Sequence, residues 1–334
     1  MNDIRLSICM PTYNFGRFIG EALSSIIPQA TEDVEIVVVD GASIDNTSDI
    51  VRSYQKSFPR LHYHLLERKG GIDYDLVKTV EFAKGQYCWL FSADDIMESN
   101  AIKRMLDEIK SGHDIYLCNR KETDISLNTL GVRYFLKESE EDRLFNFENN
   151  KDLYEYLDKA TSIAALFSYM SSIVFLRKKW NMIKNDDEFI GTLYHHVYKL
   201  ISFIGHGCTL KYIRCPIVIC RLGNDSFTGN SLAKRALFDI NGYTLILHRF
   251  FLEPPEINKI FKEMMQKEFK NTHLNSLKRI LLLKIYSEKD DWKLLKNKLL
   301  EICGFNILLY LIDILPHSHV WGKTIKTIRK LPFF

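Results

Sequence analysis

Length, composition and charge exclude several classes of protein. The chain has 334 residues, of which 46% are hydrophobic and 26% charged, as is typical of a soluble globular protein with a substantial core. The formal net charge of +3 at pH 7 is too small for nucleic-acid binding by bulk attraction. The seven cysteines form no C-x-x-C pair, so zinc-site spacing is absent and free thiols in a reducing cytoplasm are expected.

The sequence also predicts neither a signal peptide nor a membrane-spanning helix. Strand-like sequence begins at Leu6, which argues against a secretory leader. The longest apolar run, 302–315, contains Asp313 and is shorter than the span of a bilayer.

Strand and helix patterns alternate through the first 118 residues. The predicted strands are 6–10, 34–39, 61–66, 87–91 and 114–118, and the predicted helices are 15–27, 47–57, 74–83 and 102–109. This alternation predicts an α/β fold built from βαβ units, with a mostly parallel sheet and helices on both faces. Ligands of such sheets bind beyond the carboxyl ends of the strands.

The later chain divides into three stretches. Acidic residues cluster between 121 and 150, where the pattern loosens and a surface loop or lid is expected. Regular elements resume at 171–176 and 194–204, and a pair of strands is predicted around 212 and 217–221. After Pro254-Pro255 the pattern is nearly all helical. We therefore predict a domain at 1–225, with halves 1–118 and 119–225, and a helical region at 226–334.

Polar segments follow three of the predicted strands. They are Pro11-Thr-Tyr-Asn14, Asp40-Gly-Ala-Ser-Ile-Asp45 and Ser92-Ala-Asp-Asp95. The adjacent carboxylates Asp94 and Asp95 suit a hard divalent cation, which prefers oxygen ligands, although such a pair at a helix start also fits a solvent-facing role. Asp40 is a candidate acceptor for a nucleobase or ribose, and the alternative is an ordinary turn residue.

Together the three segments resemble the family 2 glycosyltransferases of GT-A fold. The resemblance rests on Ser7-Ile-Cys-Met-Pro-Thr-Tyr-Asn14, Val37-Val-Val-Asp-Gly-Ala-Ser-Ile-Asp-Asn-Thr47 and Ala83-Lys-Gly-Gln-Tyr-Cys-Trp-Leu-Phe-Ser-Ala-Asp-Asp95. The family pattern is a P-x-Y-N strand end, a D-[DG]-x-S-x-D-x-T turn, and an A-x-G-x-Y strand that runs into a D-x-D-D metal motif. Each motif is weak alone, but three in order are a strong match.

The resemblance implies transfer of a sugar from a nucleoside diphosphate donor to an acceptor hydroxyl. It implies that the nucleotide pocket is lined by Pro11, Thr12, Tyr13, Asn14, Asp40, Ser43, Asp73 and Asp94. Asp94 and Asp95 would hold the divalent metal, Mn²⁺ or Mg²⁺. The first aspartate of the family's metal motif is Ser92 in this chain, so metal binding rests on the other two.

The family also carries a Glu-Asp pair at a helix start, whose Asp is the general base. Later family landmarks are matched by Gly207, Tyr212, Pro216 and Arg221. Counting back twenty positions from Pro216 places His195-His196 where Glu-Asp is expected. We therefore predict His196 as the base, titrating near the unperturbed value of about 6.5.

Two further roles in this half are expected. Asp186 and Asp187 are the carboxylate alternatives to His196, and they lie in a predicted loop. Arg221 follows the last core strand and is expected to pair with phosphate oxygens through its two-pronged guanidinium. A solvent-facing arginine in a loop is the other explanation.

Closer similarity points to a particular donor and acceptor. Gly71-Ile-Asp-Tyr-Asp75 and Tyr87-Cys-Trp-Leu-Phe-Ser92 look like bacterial abequosyltransferases, which implies a CDP-dideoxyhexose donor and a lipid-linked O-antigen acceptor. A catalytically silent scaffold of a polysaccharide assembly complex is the alternative, because Ser92 and the absent Glu-Asp depart from the family. A sugar nucleotidyltransferase would need a Gly-rich basic loop after the first strand. Residues 11–14 do not form such a loop, which argues against this class of enzyme.

The end of the chain interleaves basic and aromatic residues. They are Trp321, Lys323, Lys326, Arg329, Lys330 and Phe333-Phe334. This pattern suits the interface of an anionic membrane, and a helical cap with a solvated basic tail is the alternative. The sequence thus predicts a cytoplasmic protein held peripherally at the inner membrane.

Overall fold

The computed structural model describes residues 3–224 and 231–313. The chain divides between residues 224 and 225 into two compact units. The strands of the first unit are β1 (Leu6–Thr12), β2 (Val34–Asp40), β3 (Leu61–Leu65), β4 (Tyr87–Leu90), β5 (Ile96–Met97), β6 (Ile115–Thr123), β7 (Thr129–Arg133), β8 (Arg143–Asn146), β9 (Ile173–Leu176) and β10 (Thr209–Arg221). Its helices are α1 (Ile19–Ile26), α2 (Thr47–Ser57), α3 (Ile72–Phe82), α4 (Ala101–Glu108), α5 (Asn150–Lys159), α6 (Arg177–Met182) and α7 (His195–Gly205).

The strands form one mixed sheet in the order β3-β2-β1-β4-β9-β6-β10-β5, with β7 beside β6 and β8 beside β10. The parallel pairing predicted from the first hundred residues is confirmed for β1 to β4. Beyond β4 the ladders are mostly antiparallel, although β6 and β10 run parallel. The α/β class with helices on both faces is confirmed.

The two faces of the sheet explain the unbroken apolar runs of its strands. Every residue of β1 and β2 is buried. Ile8 and Ile36 belong to the core that also contains the apolar faces of α1 and α4. On the opposite face Cys9 lies against α3, with its sulfur 3.8 Å from the Thr79 carbonyl oxygen. Strands covered on both sides read as continuous apolar sequence rather than as alternation.

The loop predicted for 121–150 is wrong in part, because this stretch contains β7 and β8. β7 is mostly exposed and buries little apolar surface, so its sequence gives no clear alternating signal. It is held instead by an antiparallel ladder with β6. The predicted strand pair around 212 and 217–221 is a single strand, β10, whose register shifts between Ile213 and Val218. Pro216 lies in this irregular segment, where a strand tolerates the missing N–H.

The second unit consists of helices in its described part. They are α8 (Leu232–Phe250), α9 (Pro255–His273), α10 (Leu277–Ile285), α11 (Lys289–Cys303) and α12 (Ile307–Asp313). Three of these helices bury residues such as Ile246, Phe261 and Leu295, which confirms the helical pattern expected after residue 226. Over residues 3–224 and 231–313, no helix combines the length and apolar character that crossing a bilayer requires. The basic and aromatic tail from Trp321 lies outside the described residues.

A buried polar network fixes the start of the sheet. Ser7 donates its hydroxyl hydrogen to Glu35 Oε1 at 2.6 Å, and the same oxygen accepts the N–H of Lys84. The N–H of Gly85 donates to Ser7 Oγ at 2.8 Å. A Cβ at Gly85 would lie 2.6 Å from that oxygen and 2.7 Å from the Ser7 backbone nitrogen. Only glycine fits at this point of the loop between α3 and β4, which lies against β1.

Gly85→Ala is therefore expected to destabilise the protein by about 3 kcal/mol, because backbone atoms of β1 must move to admit a methyl group. Chemical denaturation monitored by circular dichroism measures the change. Gly131→Ala is the matched control, since nothing lies within 4 Å of a Cβ at that exposed position of β7. Equal stability of the two variants would contradict the steric argument.

Candidate active site

The candidate site lies beyond the carboxyl ends of β1, β2 and β4. In the parallel ladder Thr12 of β1 pairs with Asp40 of β2, and β4 lies on the other side of β1. The strand order therefore runs from β1 toward β2 and β3 on one side and toward β4 on the other. The carboxyl end of β1 is thus the topological switch point, where such sheets bind ligands. The segment from Ser92 to Asp95 follows β4 directly, so all three polar segments converge at one edge.

Asp94 and Asp95 are both buried and both hydrogen-bonded. Asp94 Oδ1 accepts from the Ser92 hydroxyl at 2.5 Å, and its Oδ2 accepts from the Asn224 amide at 2.9 Å. Asp95 Oδ2 accepts from the hydroxyls of Tyr169 and Ser171, each at 2.5 Å. The serine that replaces the family's first aspartate thus orients Asp94.

The charge of this pair is uncompensated in the described part of the chain, where no salt bridge reaches either carboxylate. Burial and the neighbouring Asp94 charge raise the pKa of Asp95 to about 7, because two close carboxylates in a dry site resist simultaneous ionisation. Two hard oxygen donors that lack a cation fit a divalent metal which draws its other ligands from phosphates and water. No group of three metal-ligating side chains occurs among the described residues.

Arg221 is buried beside this pair, and its guanidinium is already hydrogen-bonded. Its Nε donates to the Asp94 carbonyl oxygen at 3.1 Å and its Nη1 to the Ile125 carbonyl oxygen at 2.7 Å. The remaining end forms an ion pair with Glu21 of α1. The guanidinium therefore ties β10 to the segment 92–95, and pairing with phosphate would require it to leave these partners. That role stays a prediction.

Asp40 lies at the other side of the site, at the end of β2. Its Oδ1 accepts the N–H of Ser43 and its Oδ2 accepts the Tyr63 hydroxyl hydrogen, both at 2.7 Å. Ser43 Oγ in turn accepts the N–H of Asn14 at 2.8 Å. Strand end 11–14 and turn 40–45 are thereby fixed together. Tyr13 lies at their rim, with the Lys69 ammonium 3.9 Å from its ring centroid.

Asp73, predicted to contact base or ribose, faces another part of the chain. Its carboxylate accepts backbone N–H groups of Gly191 at 2.9 Å, Leu193 at 2.8 Å and His195 at 3.3 Å. Burial nevertheless raises the pKa of Asp73 to about 6. The side chain therefore ties the start of α3 to the start of α7. Both of its oxygens already accept hydrogen bonds, so contact with a nucleobase would compete with these bonds.

Asp75 is a further candidate that the sequence analysis did not single out. It is 2% exposed, and its Oδ1 has no hydrogen-bond partner among the described residues. Burial and the nearby Asp40 charge raise the pKa of Asp75 to about 7. The sequence did contain a signal, because Asp73 and Asp75 are two residues apart at the start of α3. Side chains at that spacing on a helix point in different directions, so two such carboxylates have different surroundings.

His196 lies in the first turn of α7 and is buried. The backbone of Phe167 and Ser168 lies close to its ring and favours the charged form, and the next residue, Tyr169, donates its hydroxyl hydrogen to Asp95. Its Nε2 has no partner in the described chain. The expected pKa near 6.5 is wrong, because burial lowers the pKa of His196 to about 4. The imidazole is thus neutral throughout the physiological range.

The remaining candidates differ in exposure. His195 is fully buried, and its ring centroid lies 6.5 Å from that of Trp180, so it packs in the core. Asp187 is exposed and Asp186 is partly buried, with Asp186 Oδ1 accepting the N–H of Glu188 at 3.0 Å. Both carboxylates lie in a loop, as predicted, and this loop leads to the 191–195 backbone that Asp73 binds.

Known proteins resemble this chain in sequence. Residues 7–181, more than half of the chain, match the family "Glycosyl transferase family 2". The chain is 33% identical over 270 residues to abequosyltransferase RfbV of Salmonella typhimurium, covering 79% of this chain and 80% of that protein. It is 27% identical to the GalNAc(5)-diNAcBac-PP-undecaprenol beta-1,3-glucosyltransferase of Campylobacter jejuni, over 60% of this chain and 62% of that protein.

Solved structures share its fold. TarS residues 1–349 of S. aureus superimpose with a TM-score of 0.61 at 17% identity, over 90% of this chain and 81% of TarS. The mannosyltransferase PcManGT of Pyrobaculum calidifontis, in complex with GDP-Man and Mn²⁺, gives 0.52 at 17% identity over 97% and 80%. The chain belongs to glycosyl transferase family 2 and has the GT-A fold of these neighbours.

Proposed function

We propose that this glycosyltransferase moves a sugar from a nucleoside diphosphate donor to a hydroxyl of a lipid-linked glycan in bacterial surface polysaccharide synthesis. The observation that carries the proposal is the buried Asp94-Asp95 pair at the switch point, uncompensated by any cation of the described chain. A pair of this kind is costly to bury without a positive partner. A silent scaffold would have no need to keep it.

The proposed donor site extends from this pair to the end of β2. Asp94 and Asp95 would hold the Mn²⁺ or Mg²⁺, which when bound offsets the charge that builds on the departing diphosphate. Pro11, Thr12, Tyr13 and Asn14 would line the nucleoside side, with Asp40 and Ser43 fixing the turn beside them. Similarity to RfbV supports an abequose-type donor, a CDP-dideoxyhexose.

The proposed acceptor site lies on the side of α7. His196 would accept the proton of the attacking hydroxyl through Nε2, which is the ring nitrogen without a partner. The ring is neutral, as a base must be, and the 167–168 backbone lies close to it. The same segment continues to Tyr169 and Ser171, whose hydroxyls donate to Asp95. The segment 167–171 therefore lies next to both the proposed base and the proposed metal ligand.

Asp95→Asn is expected to lower turnover by about a hundredfold or more, because it removes the charge that would hold the metal and leaves the side-chain volume unchanged. Release of nucleoside diphosphate with Mn²⁺ and a lipid-linked acceptor measures the effect. Asp107→Asn is the control, since that carboxylate is exposed on α4 and paired only with neighbouring lysines. Full activity of the Asp95 variant would remove this residue from the metal site.

His196→Ala is expected to cost about a hundredfold in turnover, the usual loss for a positioned base, with little change in nucleotide affinity. Steady-state kinetics and isothermal titration separate the two quantities. His206→Ala, at the exposed end of α7, serves as the control. If His196→Ala retains activity and Asp187→Asn abolishes it, the base lies in the acidic loop.

Membrane attachment through the end of the chain is also proposed. Removal of residues 317–334 should release the protein from anionic vesicles, most clearly at low salt, because ions screen the attraction of Lys323, Lys326, Arg329 and Lys330. Vesicle sedimentation at two salt concentrations measures binding. A full-length protein that ignores anionic vesicles would show that the tail serves another purpose.

A further inference from the structure

Arg120 of β6 is a mostly buried cation that uses only part of its hydrogen-bonding capacity. Its side chain is 14% exposed, and its Nε and Nη2 donate to Glu122 Oε1 at 3.3 and 2.8 Å. Nη1 makes no hydrogen bond within residues 3–224 and 231–313, and it is not one of the fully buried unpaired atoms there, so it reaches accessible space. Because a guanidinium carries five N–H donors, several remain available to a ligand.

Two aromatic rings hold this guanidinium in place. Arg120 Cζ lies 3.9 Å from the centroid of the Tyr169 ring and 5.9 Å from that of Phe135. The planar cation is attracted to aromatic faces, and Glu122 fixes its orientation from the side. A ligand would therefore meet an ordered cation and would not have to immobilise it.

Arg133 of β7 lies directly opposite Arg120. The two residues pair in the antiparallel ladder, so their side chains leave the sheet on the same face. Arg133 Nη2 donates to the hydroxyl oxygen of the buried Ser162 at 3.0 Å. Like charges directly opposite each other destabilise a sheet, and a phosphate bound by both arginines would offset this repulsion. Guanidinium groups bind phosphate oxygens with paired donors.

The arginine pair, Arg120 and Arg133, lies across the metal segment from the proposed nucleoside residues. The sheet order β1-β4-β9-β6 places β6 three strand spacings, or about 14 Å, from β1. Tyr169, whose ring Arg120 covers, donates to Asp95 at 2.5 Å. The pair is therefore on the side of the sheet proposed for the acceptor.

We propose that Arg120 and Arg133 bind the phosphate or diphosphate group through which the acceptor glycan is joined to its lipid. This inference rests on the proposed function, and it assigns residues to the lipid-linked end of the acceptor, whereas His196 concerns the attacking hydroxyl. Glu122 holds the Arg120 guanidinium through Nε and Nη2, which leaves Nη1 for the anion.

The strand that carries Arg133 also exposes apolar side chains suited to a lipid. Leu130 is 63% exposed and Val132 is 39% exposed, and both alternate with Arg133 along β7. In the described sheet β7 pairs with β6 alone, so its outer edge is open and a chain attached to the bound phosphate can pass around it. Contact with these side chains removes apolar surface from water, which distinguishes a lipid-linked anion from a free one.

The test is a calorimetric titration of the full chain with farnesyl diphosphate, in the presence of Mn²⁺ and saturating CDP, so that the donor site is already filled. Farnesol should bind at least about tenfold more weakly, because it lacks the charge that the arginines bind. Inorganic pyrophosphate should also bind more weakly, because it lacks the chain. Equal affinity for farnesol would overturn the anion site, and equal affinity for pyrophosphate would overturn the link with the lipid.

Arg120→Gln and Arg133→Gln should each raise the dissociation constant of farnesyl diphosphate about tenfold or more, with the affinity for CDP unchanged. Both variants are needed because Arg120→Gln also uncovers the Tyr169 ring, whereas Arg133→Gln leaves that stack in place. Lys121→Gln is the matched control, since it makes the same charge change on the opposite face of β6, where Lys121 pairs with Glu98. An equal loss of CDP affinity would assign the arginines to the donor diphosphate instead.

Two further variants should act in opposite directions. Glu122→Gln keeps an oxygen for the Arg120 N–H groups and removes a negative charge beside the anion, so it should tighten farnesyl diphosphate binding several-fold. Leu130→Ser should weaken farnesyl diphosphate binding and leave pyrophosphate binding unchanged. Unchanged or weaker binding in Glu122→Gln, or a loss in Leu130→Ser that pyrophosphate shares, would contradict the proposal.

The outcomes separate this inference from the proposed function. Farnesyl diphosphate binding that is indifferent to both arginines, in a chain that binds CDP and transfers sugar, overturns this inference alone. Binding that depends on the arginines, in a chain that binds no nucleoside diphosphate, would uphold the anion site and defeat the proposed function together with the acceptor assignment.

Discussion

Buried negative charge at one edge of the sheet is the constraint on which the site depends. Asp40, Asp73, Asp75, Asp94 and Asp95 are all 8% exposed or less, and each carboxylate must be compensated or protonated. Asp40 and Asp73 are compensated by donors from their own chain. Asp75 and Asp95 are not fully compensated, and burial raises the pKa of each to about 7. The deficit at Asp95 lies at the proposed metal site, and the deficit at Asp75 lies beside Asp40.

The same carboxylates hold the two halves of the catalytic unit together. Asp73, at the start of α3, binds the backbone before α7 and thereby fixes the turn that carries His196. Asp95 accepts hydrogen bonds from Tyr169 and Ser171, and the backbone just before them, at Phe167 and Ser168, lies close to the His196 ring. Arg221 completes the frame by bonding to the Asp94 backbone and to Glu21. The proposed donor-side and acceptor-side residues are thus connected by shared hydrogen bonds.

Local sequence determined the first half of the fold. β1 to β4 and the helices between them were predictable for two reasons. Strands buried on both faces have continuous apolar sequence, and amphipathic helices have apolar residues at regular helical spacing. The adjacency of strand ends 11–14, 40–45 and 92–95 followed, since parallel strands place their carboxyl ends at one edge. Asp40, Asp94 and Asp95 were predicted as candidates for this reason. The exposed strand β7 carries no such pattern and was missed.

Only the tertiary structure decided which polar side chains are free. Sequence spacing could not distinguish Asp73 from Asp75, because the partners of Asp73 lie more than a hundred residues away at 191–195. It could not show that the Arg221 guanidinium is already bonded. It also assigned His196 an ordinary pKa, which burial in α7 lowers. Whether a polar group has a hydrogen-bond partner, and how far burial shifts its pKa, both depend on residues that are distant in sequence. The sequence alone therefore does not determine them.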